Sequence, residues 1–124
     1  MTDIYVDNNF LDINTISSIV KYVTTTDDWV VTDDDWSEKF IHSLLISDQE
    51  ISNIILNISN KVKSFIEQKD KVSVSVETCQ LVRWRKGDTL DPPHADCENL
   101  DGSPHPYPNR HYSVLIYLNT DYTG

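Results

Sequence analysis

Basic residues are scarce in this chain: 10 Lys and Arg stand against 20 Asp and Glu, a net charge of −10 over 124 residues. Nucleic-acid phosphates need clustered Lys and Arg, so no nucleic-acid partner is expected. Adhesion to an anionic membrane is disfavoured for the same reason. Long apolar runs are lacking too, and nothing approaches the roughly 20 residues of a membrane helix. Cysteine is limited to Cys79 and Cys97, and the first five residues show neither the basic start nor the apolar stretch of a secretory signal. Together these features suggest a reducing compartment, with the cytoplasm as the expected location. No Gly-rich phosphate loop, nucleophile elbow or Cys-x-x-Cys pair occurs. Nucleotide hydrolysis, serine esterase and thioredoxin chemistry are therefore without support. Repeats, low-complexity tracts and linkers are also missing, so residues 1–124 read as a single domain.

What is present is an ordinary globular composition, 39% hydrophobic with recurrent aromatics. Ile4-Tyr-Val6 is a candidate opening strand, and Asp7-Asn-Asn9 reads as a turn. Asp12 is placed to cap a helix running to about Val23, with Leu11, Ile16, Ile19, Val20 and Val23 on one face. Phe10 and Leu11 suit a hydrophobic staple at its start. The threonines at 24–26 break the pattern. Asp27, Asp28, Asp33, Asp34 and Asp35 then crowd one region, which reads as a solvated acidic loop or, alternatively, a docking surface for a basic substrate. Residues 29–32 are a candidate short strand, and His42 reads as structural. Ser47 and Glu50 form a capping-box pair ahead of Ile51, Ile54, Ile55, Ile58, Val62, Phe65 and Ile66, a helical stripe that is core.

From Val72 the period switches to two. Val72, Val74, Val76, Val82 and Trp84 share one parity, which predicts a long half-buried strand with Trp84 facing inward. Gly87-Asp88 turns the chain toward Pro92-Pro-His94-Ala-Asp96. Residues i and i+2 of an extended segment point to one face, so His94 and Asp96 can present an imidazole and a carboxylate together. Those are two of the three ligands of a facial triad that holds non-heme Fe(II) with open positions. His105 and His111 are the in-chain alternatives for a third ligand, although zinc spacing rules do not describe them. Residues 98–109 are a punctuated loop. Residues 110–119 form a last strand with two apolar faces, as in a strand buried on both sides. Helices followed by strands indicate an α+β fold.

In order and spacing, this last third resembles the iron- and 2-oxoglutarate-dependent dioxygenases of the prolyl 4-hydroxylase type. The resemblance covers residues 79–124. Trp84 stands at an aromatic position, commonly Tyr, three residues before Gly87. His94 and Asp96 match the iron-binding His-x-Asp. Arg110 and Tyr117-Leu118-Asn119 match an Arg and a Tyr-Leu-Asn strand, and Asp121-Tyr122-x-Gly124 looks like the start of the Tyr/Phe-x-Gly-Gly turn.

The resemblance implies N-terminal helices packed on a double-stranded β-helix, or jelly roll, that is incomplete in these 124 residues. Residues 1–78 would be support and residues 79–124 would carry the metal-site strands. It further implies Fe(II) held by His94 and Asp96, and 2-oxoglutarate contacted by Tyr117 and Trp84, with Arg110 and Cys97 lining the site. Oxygen and 2-oxoglutarate would be consumed, a prolyl residue of a peptide or protein hydroxylated, and succinate and carbon dioxide released. The resemblance also admits ascorbate as an accessory. Trp84 departs from the family in lacking a phenol. Tyr117 alternatively reads as a core tyrosine, Arg110 as a loop-end salt bridge, and Cys97 as an inert thiol. The distal His and a basic residue of the family follow the Gly-Gly turn. The coding sequence is thus expected to continue past Gly124, with a chain ending there as the alternative. An inactive binding or structural domain on the same scaffold is the competing reading.

Overall fold

The computed structural model describes residues 4–77, 79–88 and 110–120. His94, Asp96, Cys97, the loop at 98–109 with His105, and Asp121-Tyr-Thr-Gly124 lie outside the described residues. Helix α1 spans Ile13–Thr25, strand β1 Phe40–His42, helix α2 Gln49–Asp70 and strand β2 Gln80–Val82, with a 3-10 turn at Ser43–Leu45 between β1 and α2. The chain is α+β, as expected, with two helices and one small antiparallel sheet among the described residues. No described helix is long and apolar enough to cross a membrane.

Helix α1 begins where the sequence indicates. Asp12 is extended and its Oδ1 accepts the Thr15 N–H at 2.7 Å, supplying one of the amides that the first helical turn leaves open. Hydrogen bonds from the Thr15 backbone lower the pKa of that carboxyl group. The helix continues through Thr24 and Thr25, whose hydroxyls donate to the carbonyls of Val20 and Lys21 in the turn before. This local bonding lets β-branched residues end a helix instead of breaking it earlier.

Helix α2 is about 33 Å long at 1.5 Å per residue. Its cap departs from expectation. Asp48, not Ser47, accepts the Ile51 N–H at 3.1 Å, and Ser47 turns to Asp28 instead. The stripe Ile51, Ile55 and Ile58 is buried, with Ile54 and Val62 packed beside it. At the far end Lys71 takes a left-handed conformation, φ 56°, and stops the helix.

The core gathers Ile19 and Tyr22 from α1, Ile51, Ile55 and Ile58 from α2, and Trp29, Ile41, Ile46 and Leu81 from the segments between and after them. Ile41 of β1, fully buried, faces Leu81 of β2. Ladder-type bonds extend the pairing on both sides, from Ser43 N–H to the Cys79 carbonyl and from Arg83 N–H to the Lys39 carbonyl. Val30 exchanges backbone bonds with Phe40 and Glu38, so residues 29–30 flank β1 without forming a strand of their own.

Further strand expectations are corrected, and residues 4–6 form no strand. The long strand from Val72 shrinks to Gln80–Val82. Its inward face is also the opposite one: Leu81 is 8% exposed, whereas Val82 is 41% and Trp84 44% exposed. Pairing with β1 decides this, because Leu81 lies opposite Ile41 and a one-residue shift in strand parity exchanges the faces. Residues 110–120 belong to no helix or strand, and Leu115 and Tyr117 are well exposed. Only Leu118 of that stretch packs against the core.

Candidate functional site

Trp84 follows β2 directly and lies on the outer side of the small sheet. Its ring meets Trp36 edge-on at 5.3 Å between centroids, and Trp36 meets Phe40 at 6.4 Å. The Lys39 ammonium stands 5.5 Å from the Trp84 ring centroid and 3.6 Å from Asp88. A turn at 85–88 fixes this arrangement: Asp88 N–H donates to the Arg85 carbonyl, and the Asp88 carboxylate accepts the Arg85 N–H at 2.7 Å. Gly87 has φ 89° there, a conformation that L side chains rarely adopt.

On the other side of the sheet, the Arg83 guanidinium covers the Trp29 ring at 3.9 Å and donates from Nε to the Glu38 carbonyl at 2.7 Å. Burial of the guanidinium lowers its pKa. Trp29 Nε1 is buried and has no hydrogen-bond acceptor among the described residues.

Arg110 donates from Nε and Nη2 to Glu77 Oε1 at 2.8 and 2.6 Å, and this bonding lowers the Glu77 pKa. Tyr112 donates its hydroxyl to Asp70 at 2.7 Å. Tyr117 is 67% exposed, which corrects its alternative reading as a core tyrosine. The candidate site residues that are described, Trp84 and Tyr117 for the cofactor and Arg110 for the lining, thus sit in different settings: Trp84 against Trp36 and Lys39, Arg110 against Glu77, and Tyr117 at the surface. His94, Asp96 and Cys97 lie outside the described residues. Among the described residues no group of three or more His, Cys, Asp or Glu side chains is placed to hold a metal.

Among the described residues, a carboxylate that the sequence suggests is solvated takes three donors on one oxygen. Asp28 Oδ2 accepts the Tyr22 hydroxyl at 2.5 Å, the Ser47 hydroxyl at 2.6 Å and the Ser47 N–H at 2.9 Å. The Ser47 hydroxyl first, then the Tyr22 hydroxyl, hold the Asp28 pKa down at about 2. Burial, and the bond to Asp28, push the Tyr22 phenol up. A trace of this was available in sequence, since Tyr22 falls three residues after Ile19 on the apolar face of α1. A buried phenol usually finds a polar partner.

A shallow groove of about 210 Å³ runs between the start of α1 and the middle of α2, lined by Phe10, Leu11, Thr15, Ile54, Asn57 and Lys61 among others. Lys61 closes it by donating to the Phe10 carbonyl and covering the Phe10 ring at 4.2 Å. The charged groups of its lining are Asp12, already engaged in capping α1, and Lys61. Compared with family models, with curated proteins and with solved structures, the chain finds no significant match.

Proposed function

We propose that this chain carries part of an Fe(II)- and 2-oxoglutarate-dependent dioxygenase, with a prolyl residue of a peptide or protein as the substrate class. The support is the ordered set Trp84, Gly87, His94-x-Asp96, Arg110, Tyr117-Leu-Asn119 and Asp121-Tyr122-x-Gly124. The jelly-roll core belongs to the same proposal, as do ascorbate as an accessory and a cytoplasmic location. One imidazole and one carboxylate suit Fe(II), which tolerates mixed N/O donors and keeps positions open. His94 and Asp96 would hold the metal. When bound, Fe(II) would supply oxygen activation, one oxygen atom of O2 entering succinate as 2-oxoglutarate loses carbon dioxide and the other passing to substrate.

The chain's own residues bind and orient. Tyr117 has a hydroxyl able to donate to the far carboxylate of 2-oxoglutarate. Trp84 can offer only its indole N–H, a weaker match than the phenol usual at that position. Arg110, paired with Glu77, would border the mouth, and Cys97, next to Asp96 in sequence, would line the site.

The test is iron-dependent succinate formation from 2-oxoglutarate by the full product of the coding sequence, compared with His94→Ala and Asp96→Ala. Each variant should lose turnover while keeping its circular-dichroism spectrum. Unchanged turnover in either one overturns the ligand assignment. The second reading, a binding or structural domain on this scaffold, is favoured by the Trp at position 84. It expects no iron-dependent succinate at all.

A further inference from the structure

Ser47 stands exposed on the short link between the 3-10 turn and α2, one residue before the α2 cap. Ile46 and Asp48 on either side are extended. The Ser47 hydroxyl and amide both donate to Asp28, which also holds Tyr22, so one carboxylate ties the end of α1 to the start of α2. Asp48 and Glu50 follow at the first and third positions after the serine. Because Asp48 performs the capping, Ser47 is left outside the helix as an exposed residue with acidic side chains downstream.

We propose that Ser47 is a phosphorylation site for a serine kinase with a basic substrate groove, and that its modification opens the Asp28 latch. The kinase transfers the γ-phosphoryl group of a nucleoside triphosphate to Ser47 Oγ. A P–Oγ bond forms, the bond to the bridging oxygen breaks, the nucleoside diphosphate leaves, and the hydroxyl proton passes to the kinase base. The product carries a charge of about −1.5 to −2 and has lost the O–H donor. Where Asp28 accepted a hydrogen bond at 2.6 Å, it now faces a like charge. An anion near the start of α2 is itself compatible with the helix dipole, so α2 persists while its tie to Asp28 is released.

The experiment treats the full chain with MgATP and an acidophilic serine kinase that requires an acidic side chain three positions after the serine. Mass spectrometry is expected to find a phosphoryl group on Ser47, none at position 47 of Ser47→Ala, and slower incorporation at Ser47 in Glu50→Gln. Amide exchange at Ser47 should accelerate about tenfold in the phosphorylated protein, the worth of one hydrogen bond. Ser47→Glu should exchange faster there than Ser47→Ala, because it adds repulsion to the lost bond. Absence of phosphate on Ser47 overturns the site. Unchanged exchange after modification, or equal exchange in Ser47→Glu and Ser47→Ala, overturns the latch.

Discussion

Asp28 and Ser47, 19 residues apart, meet twice at one oxygen: Asp28 Oδ2 accepts both the hydroxyl and the amide hydrogen of Ser47. The same oxygen accepts the Tyr22 phenol, so three donors depend on one ionised carboxyl group. Charge-assisted bonds of this kind are stronger than neutral ones, and they favour the ionised form.

Acid should therefore weaken the fold through Asp28. Its folded pKa, about 2, lies below the ordinary 3.8. Between those values the unfolded chain binds a proton that the folded chain does not, so stability rises with pH. The contribution is fully present above the ordinary value and disappears as pH falls through the folded one. Urea unfolding of the natural chain and Asp28→Asn from pH 2 to pH 5 should give a shallower pH slope for the variant. Parallel slopes would remove Asp28 from the acid response.

The parity of β2 can be tested by a pair of substitutions. Leu81→Asp puts an unpaired charge opposite the fully buried Ile41 and should abolish cooperative unfolding. Val82→Thr on the exposed side should stay within about 0.5 kcal/mol of the natural chain. If Val82→Thr proved the more damaging change, the strand would face the other way.

Asp48 is the α2 cap, so Asp48→Ala should cost about 1 kcal/mol, and Asp48→Ser should recover most of it. Chemical denaturation followed by circular dichroism measures both. Equal stability of all three chains would show that the cap lies elsewhere.

Under the dioxygenase reading, Trp84→Tyr restores the phenol that the family commonly places there. The KM for 2-oxoglutarate should fall by up to about tenfold, one hydrogen bond's worth, with kcat little changed. An unaltered KM would remove position 84 from the co-substrate contacts.

The helices were legible because their signals are local. Asp12 precedes a helical stripe, and Ile51, Ile55 and Ile58 recur at helical spacing, so the α1 cap and the core faces follow from neighbours in sequence, while the α2 cap falls on Asp48 and not on Ser47. The strand reading failed where a distant partner decides. Valines at 72, 74 and 76 alternate like a buried strand, yet β2 starts only at Gln80 and turns Leu81 inward because Ile41 is there to meet it. The Asp28 latch was hidden for the same reason, since nothing near Asp28 in sequence announces Ser47. Of the candidate site, Trp84, Arg110 and Tyr117 are described; Trp84 and Tyr117 do not occupy the buried positions that their alternating patterns suggested, and Arg110 forms the ion pair with Glu77 that its alternative reading allowed. A strand pattern records which residues tolerate burial, not which neighbour covers them.

The small sheet also limits the length of the connection that leads into it. β1 lies a few residues before the start of α2, and β2 must return to it from the far end of a rod about 33 Å long. The nine residues between α2 and β2 make ten Cα–Cα steps from Asp70 to Gln80, which reach at most roughly 33–36 Å when fully drawn out. They act as a tether under a length limit, running back beside the helix, and Glu67 of α2 accepts the Val74 N–H at 2.9 Å along the way. Side-chain changes at the exposed Val72 or Val76 leave that reach intact, whereas removal of two residues would cut it by about 7 Å. In this stretch the number of residues constrains the protein more tightly than their identity.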